Sequence, residues 1–143
     1  VIEESAFYFC HSMCVLQCPC VEQIGSRAFY QCFLMKHYDF PNTTYIGGSA
    51  FAYNSSLRSV SFGQLETVLA AQFSSIQISY IEAPQLKEIT GKFDHIVYVL
   101  RNQYMKEGEG YILVDQKPNT QETVIIAEFQ ERKRLRRILS GQK

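Results

Sequence analysis

Five cysteines crowd the first quarter of the chain, at Cys10, Cys14, Cys18, Cys20 and Cys32. Thiolates favour zinc, and four of them close a tetrahedral shell. The spacing of Cys10, Cys14, Cys18 and Cys20 contains no C-x-x-C knuckle, which speaks against such a site. A nucleophilic cysteine would need a base such as His11 or His37, an orienting carboxylate and an oxyanion site, and nothing marks the three together. His37 and Asp39 can share one strand face as a polar pair, but a dyad without a pocket is weak ground for acid–base chemistry. No glycine-rich phosphate loop follows a strand, and no His-x-x-x-His zinc motif occurs. The expectation is therefore no catalytic centre, no metal and no cofactor.

The elements that must position these residues form a phase-locked repeat. Ile2-Glu-Glu-Ser-Ala6-Phe7, Ile24-Gly-Ser-Arg-Ala28-Phe29 and Ile46-Gly-Gly-Ser-Ala50-Phe51 recur with a common 22-residue step. The remaining apolar positions keep the same phase: Met13, Leu16, Cys18 and Val21, then Met35, Tyr38, Phe40 and Thr43, then Leu57, Val60, Phe62 and Leu65. A fourth unit, one residue shorter, supplies Ile78, Ile81, Ala83 and Leu86. Such a period marks a solenoid whose units bury their apolar faces only against their neighbours.

In the third unit, Leu57-Arg-Ser-Val60-Ser-Phe62 is an LxxLxL strand. Alternation sends Val60 and Phe62 inward and Ser59 and Ser61 outward. The outward residues then form two columns, Val15, His37, Ser59 and Tyr80 beside Gln17, Asp39, Ser61 and Glu82. These eight are the candidate binding residues on the concave sheet. Cys10 and Cys32 hold one repeat position, and Cys18 takes the core site of Phe40 and Phe62, so the cysteines read as small core residues. Equivalent positions stack ~4.8 Å apart, a distance that also admits a Cys10–Cys32 disulfide in an oxidising compartment.

The order Ile-Gly, Ala-Phe, Cys, LxxLxL and Pro resembles the BspA-type leucine-rich repeat over roughly residues 1 to 93, most fully in Ile24, Gly25, Ala28, Phe29, Cys32, Met35, Tyr38, Phe40 and Pro41. Later units depart from it: Asn54 replaces Cys, Gln72-Phe73 replaces Ala-Phe, and Ile89-Thr-Gly-Lys-Phe93 lacks one residue. The resemblance implies a non-enzymatic adhesion or interaction protein that binds a protein partner of host, matrix or cellular origin. It also favours a secreted or surface location, while the lack of a signal or transmembrane segment in the sequence leaves the cytoplasm open. Ile2 opens the first unit without a polar capping unit before it, so a piece of a longer array or a divergent end piece is expected.

With 143 residues, 46 % apolar and 20 % charged, the chain can bury a substantial core and does not read as disordered. The expected fold is a mainly β repeat solenoid with short irregular or helical convex segments, a C-terminal β cap and a short terminal α-helix. The expected organisation is a solenoid over 1–95, a strand or hairpin cap over 96–127 and a basic helical tail over 128–143. Within the cap, Ile96–Leu100, Tyr111–Val114 and Thr123–Ile126 read as strands, broken by Gly108-Glu-Gly110 and by turn chemistry at Lys117-Pro118-Asn119. Two N-x-S/T triplets, at Asn42 and Asn54, are glycan acceptors if the protein is secreted.

The neutral total charge hides a polar split. From Glu128 onward six Lys/Arg face two Asp/Glu, so the tail carries +4 and the rest −4. Arg132, Lys133, Arg134, Arg136 and Arg137 form the basic run, and the helix would set Phe129, Leu135, Ile138 and Leu139 along an apolar stripe. This run suits a solvated helix lying on the acidic body; peripheral membrane contact stays open, and the absence of interleaved aromatics disfavours nucleic acid. The second reading of the whole chain follows from it: a structural scaffold whose tail contacts anionic partners.

Overall fold

The structure, a computed structural model, describes residues 1–117. It is a parallel β solenoid. The main sheet contains β2 (His37–Phe40), β4 (Ser59–Phe62), β6 (Tyr80–Glu82), β8 (Val97–Leu100) and β9 (Tyr111–Val114), in that order. Two smaller parallel pairs join β1 (Gln23–Ile24) to β3 (Tyr45–Ile46) and β5 (Thr67–Leu69) to β7 (Glu88–Thr90). A 3-10 turn spans Ala70–Phe73.

The register reproduces the repeat. His37 lies opposite Ser59, one full 22-residue step on, and Ser59 lies opposite Tyr80, a step shorter by a single residue. The sheet then outlasts the period, because Tyr80 pairs with Tyr98 and Tyr98 with Ile112, each advance shorter than the one before. Coils can shorten because the strand segment alone must keep its place, while the return path can be trimmed. β9 joins β8 in parallel and so continues the sheet rather than folding back on it. The expected strand at Thr123–Ile126, the helix from Glu128 and the basic run lie outside the described residues.

Phenylalanine rings hold the coils in phase. Phe7, Phe29, Phe51 and Phe73 stack in turn, with centroids 5.2, 5.4 and 5.3 Å apart and planes within 10° of parallel. On the far side of the sheet from solvent, Tyr38, Phe40, Val60 and Phe62 are all buried. A backbone ladder runs beside the rings: Phe7 N–H donates to the Ala28 carbonyl at 2.8 Å, and Phe29 N–H to that of Ala50 at 2.9 Å. Left-handed residues recur along this ladder in two series, Ser5, Arg27 and Ser49 in one and Phe9, Gln31, Tyr53 and Ser75 in the other. None is glycine, so each site costs about 1–3 kcal/mol of strain, offset by the hydrogen bonds the bends make between coils.

Gly25 and Gly47 are needed for close packing and not for a turn conformation. Neither has positive φ; a Cβ on Gly25 would stand 2.5 Å from the Glu4 nitrogen, and one on Gly47 would collide with the Ser26 nitrogen in the same way. The preceding coil packs too closely for a side chain.

The departures from the repeat motif are polar plugs. Cys32, fully buried, donates its thiol to the Phe7 carbonyl at 3.2 Å. Asn54, one unit later and equally buried, donates through Nδ2 to the equivalent Phe29 carbonyl at 2.6 Å, and its Oδ1 accepts from the Tyr38 hydroxyl at 3.2 Å. Gln72 likewise gives Nε2 to the Ile46 carbonyl at 2.8 Å and accepts the Leu69 N–H at 2.9 Å. Buried polar groups persist in an apolar stack when paired this way.

Candidate functional site

The outward face of the main sheet is where alternation leaves side chains free of the core. β2 and β4 place His37, Asp39, Ser59 and Ser61 there, and β6 adds Tyr80 and Glu82. Pairing aligns His37, Ser59 and Tyr80 in one column and Asp39, Ser61 and Glu82 in the next. His37 reaches across to Ser59, with Nδ1 and Oγ 2.8 Å apart, rather than along its own strand to Asp39.

Two expectations need correction. Val15 and Gln17 are exposed, but no strand forms at residues 13–18, so they stand outside the sheet. Cys18 is likewise half-buried rather than enclosed like Phe40 and Phe62. Tyr80 does not stand in solvent. It is 5 % exposed, and Tyr98, next in its column, is 3 % exposed.

The face therefore changes character along the stack, from open and polar at His37 and Asp39 to covered and aromatic at Tyr80 and Tyr98. Neither tyrosine hydroxyl has a hydrogen-bond partner among the described residues. Burial, and then the charge of Glu82, push the Tyr80 hydroxyl up to about 12, so it remains a protonated donor. Lys117 closes this end: its Nζ lies 3.7 Å from Glu82 Oε2 and 5.9 Å from the centre of the Tyr80 ring.

Tyr98, Ile112 and Lys117 lie outside the repeat pattern because shortened coils break the period. A local signal was present for Tyr98, since inward Val97 and Val99 force the residue between them outward.

The cysteines are all free thiols, Cys10 and Cys18 half-buried, Cys14 and Cys20 exposed and Cys32 buried. Burial pushes the Cys32 thiol up to about 11, which makes it a poor nucleophile. Among the described residues no three His, Cys, Asp or Glu side chains gather to hold a metal ion. Asn54 is buried and cannot take a glycan; Asn42 is exposed, with Nδ2 donating to the Pro19 carbonyl at 2.7 Å. No described helix is long and apolar enough to cross a membrane.

A family model described as the BspA type leucine-rich repeat region matches residues 1–93, in six copies. The chain belongs to the BspA-type leucine-rich repeat family. The 22-residue advance of the strands fits about four times into that span, so the physical coils are fewer than the copies matched. Comparison with curated proteins and with solved structures finds no match. BspA-type repeats are interaction modules and generally not enzymes.

Proposed function

We propose that the chain is a non-enzymatic protein-interaction module of the adhesion type, which binds a protein partner on the outward, concave face of its main sheet. The observation that carries this reading is the pair of aligned columns, His37, Ser59 and Tyr80 beside Asp39, Ser61 and Glu82, held in register by a five-stranded parallel sheet. A rigid array of side chains at fixed spacing lowers the ordering cost of binding.

Capture of matrix proteins by the chain tests it, in parallel with the variants Ser59→Arg and Asp39→Lys. Each puts bulk or reversed charge on the outward face, far from the phenylalanine stack. The expected result is a salt-resistant partner lost in both variants while their thermal melts match the parent. A partner retained by both refutes the assignment of the face.

A further inference from the structure

Resting on the reading of the outward face as the binding surface, we propose that the chain's own C-terminal segment, residues 118–143, docks across the C-terminal half of that face, over Tyr80 and Tyr98. The surface left to a protein partner is then the open half that carries His37, Asp39, Ser59 and Ser61.

Alternation points Tyr80 and Tyr98 away from the core, as it does His37 and Ser59 in the same column. Exposure nevertheless falls along that column: His37 is exposed, Ser59 is half-buried, and Tyr80 and Tyr98 keep 5 % and 3 %. On a bare sheet side chains stand roughly perpendicular to it, so the tip of an outward tyrosine is its wettest part. Here the hydroxyl oxygens at those tips are themselves sealed. Neighbours within the sheet flank the rings and do not top them, and Ser59 is shorter than the tyrosine it adjoins. Lys117 is not enough either, since its ammonium lies 5.9 Å from the Tyr80 ring centre and its side chain is 63 % exposed. A layer above this half of the sheet is required.

Position, reach and charge point to one occupant. Lys117 brings the chain to this spot, with Nζ 3.7 Å from Glu82 Oε2, so residue 118 begins beside the covered tyrosines. Even at the rise of a helix, a segment as long as 118–143 spans roughly 39 Å, against ~19 Å for the width of a five-stranded sheet. Reach is therefore ample, and exposed His37 and Asp39 show that the cover stops short of β2. Residues 1–117 hold 8 Lys/Arg and 11 Asp/Glu, a net −3, while residues 118–143 hold 6 and 3, a net +3. The two parts attract each other. The segment also carries Val124, Ile125, Ile126 and Phe129, apolar side chains of the kind that tyrosine rings are buried against.

Photo-crosslinking of the full chain tests the cover. Leu100, two residues beyond Tyr98 on the same outward side of β8, is replaced by p-benzoylphenylalanine in one protein, and His37 at the open end is replaced in another. Val114, opposite Leu100 on β9, is a second covered position should the first variant fail to fold. The expected result is intramolecular links from the covered position into residues 118–143, and their loss from position 37. Links between two chains, or links confined to residues 1–117, overturn the proposal. Nitration of the natural chain checks the seal: Tyr45, 57 % exposed, should react while Tyr80 and Tyr98 are spared, and equal reaction of all three overturns it. Links into 118–143 with no captured partner would leave the cover standing and remove the interaction function. A partner lost in Ser59→Arg, with no such links, would do the reverse.

Discussion

Asn54→Ala offers the sharpest test of how the stack tolerates polar residues. The substitution strips the Phe29 carbonyl of a donor at 2.6 Å and the buried Tyr38 hydroxyl of its acceptor at 3.2 Å. Each buried group left unpaired costs about 1–3 kcal/mol, so the loss should be roughly 2–6 kcal/mol. At about 3 °C per kcal/mol for a chain of this size, the melting temperature should fall by roughly 6–18 °C. Asn54→Cys is the informative partner. Cys32 already donates to the Phe7 carbonyl at the same place in the preceding unit, so a thiol at position 54 should restore the contact to Phe29 and recover about half of the loss. Urea titrations and thermal melts of the three proteins read the series. If Asn54→Cys is no more stable than Asn54→Ala, the polar plug is not what holds this position.

Phe29→Ala should cost about 3–5 kcal/mol, the usual range for deleting a buried ring, because Phe29 is fully enclosed between Phe7 and Phe51. Ser59→Ala, on the outward face, should be close to neutral, and a reversed order in denaturant unfolding would mean the repeat register is wrong. Alkylation at pH 8 should label exposed Cys14 and Cys20 well before Cys32, whose thiol is raised from 9.0 to about 11 by burial. With the folded value above the unfolded one, the neutral thiol's contribution is complete below pH 9 and is lost as pH rises toward about 11. Stability measured across that window should therefore decline, and Cys32→Ser should flatten part of the slope.

The sequence was most informative where one side chain meets its own counterpart in the next coil. Ile24, Phe29, Tyr38 and Phe40 recur in phase because each must stack on an equivalent neighbour, so period and burial are one constraint. Its failures are equally physical. Nothing in the spacing around Val15 shows that its strand goes unformed, since forming a ladder depends on what pairs with it. Tyr80 was assigned to the open face by alternation, which decides the side of the sheet and not what lies over that side. Asn54 and Gln72 looked like losses of the motif because a hydrogen bond to another coil's carbonyl leaves no mark on local sequence.

The sequence by itself thus determined the solenoid, its 22-residue step and the inward and outward assignment of each strand position, all of which follow from identical units burying one another. Tertiary structure alone decided that the sheet continues through successively shorter coils to Tyr98 and Ile112. It also decided that Lys117 meets Glu82 and Tyr80. Those contacts join segments that share no period, and only the folded path of the chain sets the distance between them.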